Sequence, residues 1–123
     1  MINMDQKIIQ ALANTELLVR PNIYNRCGGE EPLPDSFITF TYSTAGEDFA
    51  DDLPRRERYR ISVHVYCPLS LDSVSLRQQI KQDLFDAGFS WPCELNQGDE
   101  LGQHYVFQTD WFEWLNLAGP NPI

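Results

Sequence analysis

Basic residues are scarce in this chain. Nine Lys and Arg stand against eighteen Asp and Glu, a formal net charge of −9. Such a balance argues against broad affinity for DNA, RNA or anionic lipid and suits partners that are proteins. Cysteine is also scarce: Cys27, Cys67 and Cys93 are odd in number, widely spaced and form no CxxC pair. Neither a zinc knuckle nor a redox dithiol is signalled, and the three read as reduced thiols in a reducing compartment. Long apolar runs are missing, and none approaches the roughly 20 residues needed to cross a bilayer. The opening MINMDQKIIQALANTE is broken by Asp5, Gln6, Lys7 and Gln10. It does not read as a secretory signal, so neither export by that route nor a membrane anchor is expected. Internal repeats and low-complexity tracts are lacking as well.

What is present is a globular composition. With 42% hydrophobic and 12% aromatic residues over 123 positions, the chain suits one domain, 1–123, with its own core. Met4, Ile8, Ala11 and Leu12 recur at helical spacing. They predict a short amphipathic helix with Asp5 at its start and Asn14 as its stop. Leu17-Leu18-Val19 is either a strand or a buried loop. Cys27-Gly28-Gly29 and Glu31-Pro32-Leu33-Pro34 are loop chemistry.

SFITFTYS, from Ser36 to Ser43, alternates β-branched and aromatic residues and predicts a strand with Ile38, Phe40 and Tyr42 toward the core. YRISVHVYC, from Tyr59 to Cys67, is the clearest strand. Tyr59, Ile61, Val63, Val65 and Cys67 share one face; Arg58, Arg60, Ser62, His64 and Tyr66 share the other. A sheet with one buried and one polar face implies antiparallel pairing. Pro68 ends the strand, and Ser70 or Asp72 can cap the helix that follows. Val74, Leu76, Ile80, Leu84 and Phe85 form its apolar stripe, and Gly88 terminates it. Phe89 to Leu95 reads as a short edge strand, 96–99 as a turn, and HYVFQTDWFEW, from His104 to Trp114, as a final long strand. The tail AGPNPI reads as loop. The expected fold is α+β: about four mostly antiparallel strands packed by two main helices.

The segment between the first two strands, 44–57, carries acidic Glu47, Asp48, Asp51 and Asp52, then Pro54, then basic Arg55, Arg56 and, just beyond, Arg58. It predicts a long polar connection projecting from the body, since Pro54 interrupts a ladder. Two readings stand. The charges pair locally in a solvated loop, or the acidic half of one copy meets the arginines of the next in a head-to-tail ring.

Chemistry is hard to find. His64 and His104 both sit in predicted strands and would come close if those strands were antiparallel neighbours, yet no third ligand stands at metal spacing, and no metal or cofactor is expected. No GxSxG elbow, HExxH helix or GxxxxGK loop occurs. The carboxylates Asp48, Asp51, Asp52, Asp99 and Glu100 lie in polar loops with no apolar pocket evident to raise a pKa. The expectation is a protein that is not an enzyme.

The order of elements then carries a resemblance. SFITFTYS, YRISVHVYCP, the helix SLRQQIKQDLFDAGF with Gly88-Phe89, and ELNQGDELGQHYVFQTDWFEW follow one another as in the small tail terminator, or tail completion, proteins of tailed bacteriophages and prophages. The likeness covers roughly Ile8 to Phe112. CGGEEPLP and the tryptophan-rich end depart from that pattern. The resemblance implies a ring, usually of six copies, that caps the tail tube, ends its polymerisation and joins the tail to the neck and head. Its partners would be further copies, the tail tube protein and neck or connector proteins, with no specific nucleic acid and no membrane. Its place would be the virion tail at the tail–neck junction, after assembly in the host cytoplasm.

For such a ring the expected subunit contacts are Glu47, Asp48, Asp51, Asp52, Arg55, Arg56 and Arg58, together with the polar-face residues Arg60, His64 and Tyr66. Trp111, Phe112 and Trp114 would close the core or dock a partner. An alternative from another class fits the same charge and size: a small acidic inhibitor or immunity-type module steered onto a basic partner.

Overall fold

Alternation in the middle of the chain decides the sheet, and the sheet decides everything packed on it. A computed structural model describes residues 3–21, 34–50 and 53–115. Cys27, Gly28, Gly29, Asp51, Asp52 and the AGPNPI tail lie outside the described residues. Within them the order is helix α1 (Met4–Ala11), a 3-10 turn (Ala13–Thr15), strands β1 (Leu18–Pro21), β2 (Phe37–Glu47) and β3 (Arg56–Cys67), helix α2 (Val74–Asp86), and strands β4 (Cys93–Asn96) and β5 (Gln103–Trp114). The five strands form one sheet in the order β1-β2-β3-β5-β4. Only β1 is parallel to its neighbour; all other pairs are antiparallel. The fold is therefore α+β as expected, with one strand more. That strand is the Leu17-Leu18-Val19 region, which aligns Leu18 with Phe37 and Val19 with Ile38.

One face of the sheet is buried. Ile38, Phe40, Ile61, Val63, Val65 and Phe107 are fully enclosed beneath Met4, Ile8 and Leu12 of the first helical segment and Ile80 and Leu84 of α2. Each such side chain contributes roughly 1.5–3 kcal/mol relative to exposure. Both helices lie on this side, which leaves the opposite face of the sheet without a described helix over it.

The helix ends follow local chemistry. The Asn3 side chain, not Asp5, caps α1, accepting from the Gln6 N–H at 3.1 Å. The α-helix closes at Ala11, and Asn14 falls inside the 3-10 turn. Ser73 stands at the N-cap of α2, while Asp72 Oδ1 accepts from the Val74 N–H at 3.2 Å. Gly88 follows α2 with φ +104°, the left-handed conformation that only glycine adopts cheaply. Lys7 closes the same end, donating from Nζ to the Ala87 carbonyl at 3.0 Å while lying 3.9 Å over the Trp111 ring.

Three expectations are corrected. The 44–57 segment is not one long loop. β2 continues to Glu47 and β3 begins at Arg56, so the two strands stay paired through Glu47↔Arg56 and only 48–55 connect them. Tyr42 lies on the core-facing side of β2 but is 40% exposed, beyond the cover of the helices, and its hydroxyl donates to Asp5 at 2.9 Å. Val74 and Phe85 belong to the sequence stripe of α2 yet stand exposed; only Ile80 and Leu84 of α2 are buried.

Candidate functional site

The face opposite the helices is built by the same alternation that fills the core. From β2 it takes Phe37, Thr39, Thr41 and Ser43. From β3 it takes Tyr66, His64, Ser62, Arg60, Arg58 and Arg56. From β5 it takes His104, Val106, Gln108, Asp110, Phe112 and Trp114. The register lays these in rows across three strands: Phe37–Tyr66–His104 at one end, Thr41–Ser62–Gln108 in the middle, and Glu47–Arg56–Trp114 at the other.

The first end is aromatic. Phe37 stacks on Tyr66 with ring centroids 4.8 Å apart, and Tyr66 stacks on His104 at 4.3 Å. His64 faces Val106 and His104 faces Tyr66, so the two imidazoles are diagonal neighbours. Their facing nitrogens, His64 Nδ1 and His104 Nε2, stand 2.9 Å apart. Burial pushes the His64 imidazole below its ordinary range, and the neighbouring His104 adds to the effect. Burial lowers His104 too, against an opposing pull from Asp99.

The middle is polar and concave. An open depression of about 590 Å³ runs past Thr41, Ser43, Arg60, Ser62, Cys93 and Gln108.

The far end is charged and aromatic together. Arg56 Nη2 meets Glu47 Oε1 at 3.2 Å, Arg58 Nη1 meets Glu47 Oε2 at 3.5 Å, and Arg58 Nη2 meets Asp110 Oδ2 at 2.8 Å. The Arg56 guanidinium lies 4.6 Å over the Phe112 ring and 5.7 Å from that of Trp114. Trp114 remains 67% exposed and Phe112 42%. The three strands β2, β3 and β5 run together to this end as an arm. Neither β1, which pairs only with residues 37–40, nor β4, which pairs only with 105–108, extends along it.

The expected site residues therefore divide. Arg56, Arg58, Arg60, His64, Tyr66, Phe112 and Trp114 share the open face. Glu47 ends β2 and pairs with Arg56 and Arg58 of its own chain, which is the local pairing that was one of the two readings. Asp48 has φ +60° and, with Arg55, belongs to the connection at the arm's tip. The Arg55 N–H donates to the carbonyls of Glu47 and Asp48 at 3.1 and 3.2 Å. Trp111 turns to the core side, against Phe89 at 5.4 Å. His104, Asp110 and Phe37 join the face without having been singled out for it. Alternation assigns them to one side of their strands, but only the register reveals their partners.

Among the described residues, no group of three or more His, Cys, Asp and Glu gathers to hold a metal ion. None of their helices is long and apolar enough to cross a membrane.

No family model matches the chain, and no curated protein matches it by sequence. Its fold does recur among solved structures. One superimposes with a TM-score of 0.54 over 92% of this chain and 97% of its own, at 15% identity. That likeness establishes an α+β architecture shared along nearly the whole of both chains.

Proposed function

We propose that this chain is a structural virion protein of the tail terminator type. Copies assemble into a ring, of six in the resemblance, that caps the tail tube, ends its polymerisation and joins the tail to the neck. The observation that carries this reading is the three-stranded arm, with a bare polar face and aromatic residues exposed at its end. Such a surface suits contact with other subunits more than reaction with a small molecule, because it is broad, open and rich in repeated rows. The element order agrees: helix, long paired strands, helix ending at Gly88-Phe89, and a final long strand.

The charges assign the contacts. Glu47 and Asp110 already neutralise Arg56 and Arg58 within the chain. Among the described residues Lys7, Arg20, Arg55 and Arg60 make no ion pair; of these Arg55 and Arg60 belong to the arm and are the cations it offers to a neighbouring copy, with Asp48 near the tip as a counter-charge. An acidic ring facing the channel would repel DNA phosphate and let a genome pass. The place in the virion, at the tail–neck junction, belongs to the same proposal.

Native mass spectrometry of the purified chain, alone and with tail tubes, tests it. A closed ring on its own or on tube ends supports the reading. A monomer that ignores tubes and binds one basic protein, with strong salt dependence, supports the inhibitor alternative instead.

A further inference from the structure

The arm has a strand edge on each side, and its backbone groups there are left over. We propose that β5 of one copy adds, parallel, to the outer edge of β2 in the next copy, so that the sheet runs on from subunit to subunit. This rests on the ring reading above and names how its subunits meet.

The argument begins with where backbone groups point. In a ladder without a bulge, each residue turns its N–H and C=O to one side and the next residue turns them to the other. On β5 the Asp110 N–H donates to Ser90 Oγ at 3.0 Å, and the Asp110 carbonyl accepts from the Ser90 N–H at 3.0 Å. The Leu115 N–H instead donates to the Arg55 carbonyl at 2.9 Å, on the β3 side. Phe112 and Trp114 therefore turn outward as Asp110 does, but past Ser90, with no strand beside them. On β2 the Glu47 carbonyl accepts from Arg55, so Thr44 and Gly46 turn away from β3. They lie beyond Phe40, where the pairing with β1 stops. Among the described residues, no backbone partner meets Thr44, Gly46, Phe112 or Trp114. Proteins blunt such edges with lysine, proline or a bulge. Residues 41–46 and 111–114 contain neither lysine nor proline, and their registers show no bulge.

The two edges suit each other better than themselves. β2 and β5 are both antiparallel to β3 and so run the same way. A rotation about an axis along the arm keeps that direction, and the new pair is parallel. With Phe112 beside Ser43 and Trp114 beside Ala45, the outward groups match in order. The Phe112 N–H donates to the Tyr42 carbonyl and the Phe112 carbonyl accepts from Thr44. The Trp114 N–H donates to the Thr44 carbonyl and the Trp114 carbonyl accepts from Gly46. This register keeps Phe112, Trp114, Ser43 and Ala45 on one face, and it sets the exposed aromatic rings over small side chains. Two β5 edges related by a two-fold axis would instead bring Glu113 against Glu113 of the other copy.

Hydrogen exchange of the intact chain, read by mass spectrometry at a dilute and at an assembling concentration, tests the pairing. On assembly the amides of Thr44, Gly46, Phe112 and Trp114 should exchange about tenfold more slowly or better. Thr44→Pro removes an outward N–H and no bond of the chain's own ladder, so it should weaken assembly about tenfold or more while the dilute chain melts nearly as before. Oligomers whose four amides exchange as freely as in the monomer, or a Thr44→Pro chain that assembles like the original, overturn the strand pairing and leave the ring standing. A chain monomeric at every concentration and with tail tubes overturns both. The exchange measurement needs no variant and holds even if Thr44→Pro folds poorly.

Discussion

At the scale of single residues, Gly88 is the position where sequence, backbone and packing meet most tightly. Its φ of +104° is costly for any residue with a Cβ, and a Cβ built there falls 2.6 Å from Trp111 Cζ3. Gly88→Ala therefore combines backbone strain with a clash in the core, each about 1–3 kcal/mol. We expect a fall in melting temperature of roughly 10 °C or more, with a shift in tryptophan emission. An unchanged melt would show that α2 and Trp111 yield freely. Glu94 is a second such residue. It bonds Arg77 at 2.6 Å and Lys81 at 2.8 Å, tying β4 to α2. Burial alone would raise its pKa, but the Lys81 and Arg77 contacts outweigh burial and hold the carboxyl below its ordinary 4.5. The folded pKa is depressed, so the stability is fully present above the unfolded value and disappears as pH falls through the folded one. Glu94→Gln should thus cost about 1 kcal/mol near neutral pH, after discounting for partial exposure, and progressively less as pH falls below 4.5. Denaturation curves of both proteins from pH 7 to 3 check this; parallel curves would remove the ion pair from the account.

At the scale of elements, the arm of β2, β3 and β5 is where the structure departs most from the sequence. The residues of 44–57 are polar enough to pass for a loop, and Pro54 strengthens that reading. Residues 44–47 and 56–57 are strand all the same, leaving only 48–55 as the connection, because the arm has little core to face. Ladder hydrogen bonds need no apolar side chain, so the alternation that marks β3 fades in β2 after Phe40. The body was legible for the opposite reason: Ile61, Val63 and Val65 alternate because one side of them is buried. β1 offered too few residues to separate strand from loop. The histidine pair and the Arg58–Asp110 pair depend on register, which no local pattern carries. The arm also supplies a prediction. Arg55→Glu with Arg60→Glu should lower the assembled mass while moving the melting temperature little, since such surface changes usually stay within about 0.5 kcal/mol. Exposed pairs are worth only about 0–1 kcal/mol each, so the loss of assembly relies on repetition around the ring. A full-sized ring would remove these arginines from the interface; a matching loss of thermal stability would make them structural instead.

At the scale of the whole molecule, one sheet separates two roles. The covered face, from Ile38 to Phe107, holds the fold together. The opposite face buries Thr39 and Val106 beside the histidine pair but leaves Arg60, Gln108, Phe112 and Trp114 exposed toward the arm. In the proposed ring such a subunit would gain function by repetition, and its acidic charge would set which surfaces it approaches and which it repels. The most direct measurement is the native mass of the purified chain at high concentration, repeated in the presence of tail tubes. The account predicts one dominant closed oligomer, six copies in mass, or its appearance on tube ends. A chain that stays monomeric under both conditions contradicts it.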